Sequence, residues 1–189
     1  VINVGVRALL LTHGAGGDSS HRVLVALSEQ LEIPVWRMDF PYRKEGRKFP
    51  DRVPKLIEAL RIEVAVAAQQ LDVDPRTMAF GGRSLGGRVC SMAIAQGLAA
   101  AALVALSYPL HPPAKPDRLR VEHFKDVSVP ALFVSGDRDP FGTPTELAAH
   151  IKAFRGPVTS HTLVGQGHDP KPQSTAEIVA VVKQFLARL

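Results

Sequence analysis

The sequence predicts an α/β fold in three layers, with about six mostly parallel strands in one sheet and helices on both faces. Three observations predict it. Strand-sized apolar runs alternate with stretches whose apolar residues recur at helical spacing, a pattern that requires crossover connections and parallel pairing. Residues with reactive side chains fall just after strands, where open parallel sheets place their sites. Finally, Gly81-Gly82-Arg83-Ser84-Leu85-Gly86-Gly87, an instance of G-x-S-x-G, stands between a strand-like and a helix-like run.

Val6 to Thr12 reads as a buried strand, and Val23, Leu24, Leu27 and Leu31 then follow at helical spacing. Ile33 to Phe40 is the second strand, closed by Pro41. From Val53 to Leu71 the apolar positions trace an amphipathic helix of about five turns, and Asp74-Pro75 punctuates its end. Thr77 to Phe80 leads into the serine segment, and Val89, Met92 and Ala93 share one face of the helix beyond it. A strand over Ala101 to Leu106 opens onto a Pro-rich connector, Ser107 to Pro130, whose prolines favour an extended path. The chain then alternates through a strand (Ala131 to Ser135), a helix (Thr145 to Phe154), a strand (Val158 to Val164) and a last helix carrying Ile178, Val179, Val182, Phe185, Leu186 and Leu189.

The 189 residues, 46% of them apolar, suffice for one sizeable core and are too few for two ordinary domains, so residues 1–189 read as a single domain. The longest apolar candidates, Val1 to Leu11 and Ala99 to Leu106, fall short of the roughly 20 residues that cross a bilayer, so no membrane partner is expected. Cys90 is the only cysteine and no secretory leader pattern opens the chain, which makes the cytoplasm the expected compartment. The chain opens at Val1 rather than Met, which leaves room for a targeting segment upstream. A net charge of +5 permits affinity for anions. With only 6% aromatic residues and no nucleic-acid motif, the basic run from Tyr42 to Lys48 reads as a solvated loop, and no nucleic-acid partner is expected.

Ser84 on a sharp strand-to-helix turn projects its hydroxyl above the sheet, and Gly82 and Gly86 supply the positions without a Cβ that such a crowded turn needs. A serine hydroxyl is a poor nucleophile until a base takes its proton, an acid orients that base and donors meet the oxyanion. After the strand ending at Ser135 come two candidate carboxylates, Asp137 and Asp139; after the last strand comes His168. From the residues alone the two carboxylates are nearly equivalent, because which one points inward depends on where the strand ends. The order Ser, Asp, His is that of α/β-hydrolases and of neither other serine-triad arrangement.

The segments HGAGG at His13 to Gly17, DFPYR at Asp39 to Arg43, GGRSLGGR at Gly81 to Arg88, YPLHPP at Tyr108 to Pro113 and GDRDPFG at Gly136 to Gly142 resemble the α/β-hydrolase superfamily. More narrowly they are similar to a small dienelactone-hydrolase-like group related to a testis-expressed protein and to a subunit of a histone acetyltransferase complex. The resemblance implies that the acid is Asp139, the fourth residue of a G-x-x-D segment. It also implies that His13 to Gly17 is the oxyanion loop, with donors at the backbone amides of Ala15 and Leu85. The connector is too short for a helical lid of the kind larger relatives insert there, which implies an open site for small or exposed acyl substrates.

The expected function is ester hydrolysis through Ser84, His168 and Asp139 on a small-molecule ester-like substrate, with no cofactor and no metal. Arg43 and Arg83 are candidates for steering carboxylated substrates, and His111 for substrate contact or for capping a turn. His13 is expected to fix its loop, and Cys90 to be a small buried hydrophobe. His21, His123, His150 and His161 read as surface histidines, and Asp169 as a loop residue. The competing expectation is a binding or scaffold protein that keeps the hydrolase fold without efficient turnover.

Overall fold

The computed structural model describes residues 5–189 and follows the predicted alternation; Val1 to Val4, the start of the first apolar stretch, lie outside the described residues. In chain order the elements are β1 (Ala8–Thr12), α1 (Arg22–Gln30), β2 (Val35–Met38), α2 (Pro41–Lys44), α3 (Val53–Leu71), β3 (Met78–Arg83), α4 (Leu85–Ala95), β4 (Ala102–Leu106), β5 (Ala131–Gly136), α5 (Pro144–His150), β6 (Val158–Leu163) and α6 (Thr175–Leu186). The six strands form one sheet in the order β2-β1-β3-β4-β5-β6, and every neighbouring pair is parallel.

The two-residue side-chain period of a strand divides the core into two halves. Ala8 and Leu10 of β1, Met78 and Phe80 of β3, Leu103 and Ala105 of β4, and Phe133 of β5 pack against α3 and α4 through Leu56, Leu60, Val64, Val89 and Ala93. The alternate residues Leu9, Leu11, Ala79, Val104, Leu132 and Val134 pack against α1 and α6 through Leu24, Leu27, Ile178 and Val182. Strands buried on both faces read as continuous apolar runs, which is why β1, β4 and β5 were visible in the sequence. No helix among the described residues is long and apolar enough to cross a membrane.

Three local differences have physical causes. β3 runs on through Gly81 and Gly82 to Arg83, beyond the expected end at Phe80, because a Cβ at Gly81 would overlap the Val104 carbonyl of β4; the glycines mark close strand packing rather than a turn. The basic run contains a one-turn helix, α2, started by Pro41 and anchored by the buried Tyr42 ring. Three of its four cations are engaged by carboxylates: Arg43 by Asp18, Lys44 by Glu63, and Arg47 by Glu45 and Asp51. α5 stops at His150, short of the expected Phe154, and gives way to a 3-10 turn over Ile151–Ala153.

The connector between β4 and β5 carries no helix beyond a 3-10 turn at Phe124–Asp126, so it places no helical lid over the sheet end. It is pinned from beneath by an aromatic cluster in which Phe124 meets Tyr108, Phe133 and Phe154 at centroid distances of 5.4, 6.1 and 4.6 Å. A hydrogen-bonded chain crosses the same region. Ser91 Oγ donates to the Arg88 carbonyl (2.8 Å) and Tyr108 Oη donates to the Arg120 carbonyl (3.0 Å). Each hydroxyl has used its proton, so His123 Nε2–H is the donor to both, at 2.8 Å to Ser91 and 3.5 Å to Tyr108.

His123 is therefore an internal strut and not a surface residue. Burial first, and then the positive charge of Arg88, push its pKa down to about 4, so it is neutral in the folded protein at pH 7. The folded value lies below the ordinary histidine value of 6.5, so the unfolded chain binds the extra proton between these limits. Stability from this residue is full above about pH 6.5 and is lost as pH falls toward about 4. Thermal melts across that window should show a steeper fall for wild type than for His123→Gln. Parallel curves would mean that the strut does not titrate.

Candidate active site

The segment from Gly81 to Gly87 turns sharply because its surroundings leave no alternative. A Cβ at Gly82 would overlap the side chain and carbonyl of Thr12 at the end of β1, and one at Gly86 would lie 2.7 Å from the Thr12 carbonyl and 2.8 Å from that of His13. β1, β3 and the first turn of α4 thus meet with no room for a methyl group. Ser84, between the two glycines, takes φ 51° and ψ −116°, a conformation that costs about 1–3 kcal/mol in a residue with a Cβ. Its amide donates to the Leu106 carbonyl (2.8 Å) and its carbonyl accepts from Arg88 N (3.1 Å), which holds the strained residue from both sides.

The loop after β6 brings His168 to this turn. His168 Nε2 lies 2.7 Å from Ser84 Oγ, and Nδ1 lies 2.8 and 3.0 Å from the two carboxylate oxygens of Asp139. An ionised carboxylate only accepts, so Nδ1 carries the imidazole proton and Nε2 faces the serine hydroxyl as acceptor. Asp139 is 2% exposed and also accepts from Phe141 N (2.8 Å), which fixes its orientation. The structure brings Asp139, not Asp137, to the imidazole; Asp137 has a buried oxygen with no partner. Phe141 packs its ring 4.0 Å from that of His168, centroid to centroid. Nothing in its spacing gave this contact away.

The loop after β1 lies against the serine turn: a Cβ at Gly14 would stand 3.5 Å from Ser84 Cβ. His13 is fully buried beneath it. Phe40 N donates to His13 Nε2 (3.1 Å), so the other nitrogen, Nδ1, donates to the Gly14 carbonyl (2.8 Å). Burial lowers the His13 pKa and keeps the ring neutral in this role. Tyr42 Oη donates to the Ala15 carbonyl (2.9 Å), and burial pushes its pKa up to about 12, so it stays a donor. Ala15 and Leu85 both line the resulting cleft, and Leu85 is the first residue of α4, where backbone N–H groups lack intrahelical partners.

The candidate substrate arginines part company. Arg83 lines the cleft, but its guanidinium is occupied: Nη2 donates to the His168 carbonyl (3.1 Å) and pairs with Asp169 (3.3 Å). Asp169 is also held by Arg22 (3.0 Å) and by His21 (3.5 Å), so this exposed carboxylate is the hub of a brace under the histidine loop rather than a plain loop residue. Arg43, expected near the rim, is outside the lining and pairs with Asp18 at 3.4 Å. His111 is likewise outside it, 5% exposed, with Nδ1 2.8 Å from the Pro112 carbonyl and Nε2 3.4 Å from Glu146 of α5. The cleft instead contains two arginines that the sequence reading did not select, Arg88 and Arg120.

The cleft has a volume of about 360 Å³ and opens to solvent above Ser84 and His168. Cys90 lies fully buried behind the turn, where burial pushes its thiol up to about 12 and away from thiolate chemistry. Among the described residues no group of three or more His, Cys, Asp or Glu side chains could hold a metal ion.

Comparison with known proteins agrees with this fold. The chain is similar in structure to Est1E from Butyrivibrio proteoclasticus in its complex with ferulic acid, with a TM-score of 0.77 and 21% identity over 96% of this chain and 88% of that one. It is also similar to a monoacylglycerol lipase from Paleococcus ferrophilus (TM-score 0.73, 15% identity, 96% and 94% covered). A third relative in structure is BorB, the type II thioesterase of the borrelidin biosynthetic cluster (TM-score 0.70, 18% identity, 95% and 92% covered). At these identities the likeness is one of fold. The sequence model of the alpha/beta hydrolase domain matches residues 5–184, nearly the whole chain, and the protein therefore belongs to the alpha/beta hydrolase family.

Proposed function

We propose that the chain is a single-domain serine hydrolase that transfers the acyl group of small or exposed carboxylic esters to water, in the manner of the dienelactone-hydrolase-like group and in the cytoplasm. The observation that carries this reading is the unbroken proton path from Ser84 Oγ through the His168 imidazole to Asp139, with contacts of 2.7 and 2.8 Å. Ser84 Oγ attacks the ester carbonyl carbon while its proton passes to His168 Nε2, and Asp139 stabilises the imidazolium. The amides of Ala15 and Leu85 receive the developing oxyanion, each such donor being worth about 3–4 kcal/mol in the transition state. Collapse of the tetrahedral intermediate sends the proton from Nε2 to the departing alkoxide. Water, deprotonated by the same nitrogen, then releases the acid and restores Ser84.

Thioesterase and lipase names among the structural neighbours are consistent with acyl chemistry, and the ferulic acid bound to Est1E recommends feruloyl esters for the first panel. A fluorophosphonate probe should label wild type stoichiometrically and leave folded Ser84→Ala unlabelled; equal labelling of the two would remove Ser84 from the mechanism. For the acid, Asp139→Asn should lower kcat by on the order of 10³–10⁴-fold, because an amide at that position favours the wrong imidazole tautomer. Asp137→Asn, whose side chain does not reach His168, should lose far less. The reverse ranking in steady-state kinetics would overturn the assignment.

A further inference from the structure

Most of the cations around the cleft already have anionic partners. Arg83 and Arg22 share Asp169, Arg43 holds Asp18, Lys44 pairs with Glu63, and Arg47 pairs with Glu45 and Asp51. Arg88 and Arg120 differ. Both line the cleft beside Ser84, both are half-buried, and among the described residues neither guanidinium makes an ion pair or a hydrogen bond. Arg88 Nε is buried without a partner, as are the Nε atoms of Arg22, Arg43 and Arg83, whose terminal nitrogens, unlike those of Arg88, are engaged. A desolvated donor left unpaired is costly, more so when charged, so the buried Arg88 Nε beside a second unpaired guanidinium favours an anion in the cleft. Burial and then the charge of Arg88 lower the Arg120 pKa, which places the two cations within each other's field.

Their backbones are held with care. Arg88 lies one turn beyond Ser84 on α4, its amide bonded to the Ser84 carbonyl. Arg120 comes from the connector, its amide donating to Leu110 O (2.9 Å). The Ser91–His123–Tyr108 chain ends on the Arg88 carbonyl at one side and the Arg120 carbonyl at the other, so one buried network fixes both residues. Neutral His123 lets that network stand between two cations without adding a third.

We infer that Arg88 and Arg120 form an anion subsite next to Ser84, and that the esters cleaved there carry a free carboxylate in the acyl or the alcohol part. The inference rests on the hydrolase reading for its chemistry and on the two unpaired guanidinium groups for its specificity. A planar carboxylate matches the forked donors of arginine in two-point contact, and its binding energy next to the reacting carbonyl helps to hold the ester in place for attack. Arg83 and Arg43, the arginines favoured by sequence position, are already occupied.

Two matched ester pairs test it: para-nitrophenyl hexanoate against the mono-para-nitrophenyl ester of adipic acid, and the butanoyl ester of para-hydroxybenzamide against that of para-hydroxybenzoate. In wild type, kcat/KM for the anionic member of at least one pair should exceed that of its neutral partner by about tenfold, as expected for charge-assisted hydrogen bonds. In the Arg88→Gln/Arg120→Gln double variant that ratio should fall toward one. A ratio near one in wild type for both pairs, or an unchanged ratio in the double variant, would overturn the subsite. Should the double variant not fold, the wild-type ratio read from about 50 mM to about 500 mM salt replaces it: the ratio should shrink as charge is screened, and a constant ratio counts against the proposal.

Calorimetry with adipate on Ser84→Ala separates this inference from the hydrolase reading, because it needs no turnover. Adipate should bind, and should lose about tenfold in affinity when Arg88→Gln and Arg120→Gln are added. That result without esterolysis of any substrate would leave the subsite standing and the proposed activity refuted. No adipate binding would refute the subsite, and butyl phosphate binding tenfold tighter than adipate would replace the carboxylate by a phosphate.

Discussion

The close approach of Thr12 to Gly82 and Gly86 is the constraint on which the rest of the site depends. Because β1, β3 and the start of α4 meet without space for a side chain, the chain must reverse within the single residue Ser84, and that residue must accept a positive φ. The backbone strain and the exposure of the hydroxyl have the same origin. Burial of the sheet on both faces anchors all three elements, so the cost of one strained residue is offset by core packing far from the cleft.

Around this turn, polar side chains are divided between architecture and function. His13, Tyr42, Arg83 and Asp169 each have hydrogen-bond partners within the chain, and each fixes a loop that would otherwise move: the loop after β1 from beneath, the histidine loop from the side. The acid is likewise doubly held, by His168 and by the Phe141 amide. Residues held this tightly are poorly suited to binding a substrate as well. Arg88 and Arg120 combine a fixed backbone with unpartnered side chains, a combination that suits recognition.

Much of this could be read in the sequence where one residue type answers to one physical demand. Buried parallel strands need continuous apolar runs, which marks β1, β4 and β5, and the ends of all six strands lie within a few residues of those expected. The order serine, aspartate, histidine was visible because each follows a strand, while the choice of Asp139 over Asp137 came from the family resemblance. What stayed hidden depends on packing between distant segments. Gly81 and Gly82 look like turn residues until β4 is placed beside them, and Asp169 looks like loop filler until Arg22 arrives from 147 residues away. Arg43 and Arg88 belong to similarly basic segments; only the positions of Asp18 and of the connector distinguish the paired cation from the free one. His123 had the same difficulty, since its partners Ser91 and Tyr108 lie on two other segments.

The proposed mechanism turns on geometry: one hydroxyl attacks, and two backbone amides, one from the loop after β1 and one from the start of α4, receive the negative charge. It is tested most directly by a crystal structure of the protein after reaction with a phosphonate ester. The account predicts a phosphorus–oxygen bond to Ser84 Oγ, with the phosphonyl oxygen about 2.7–3.1 Å from the backbone nitrogens of both Ala15 and Leu85. A phosphonate carried by any other side chain, or one on Ser84 whose oxygen points to solvent away from those amides, would contradict it.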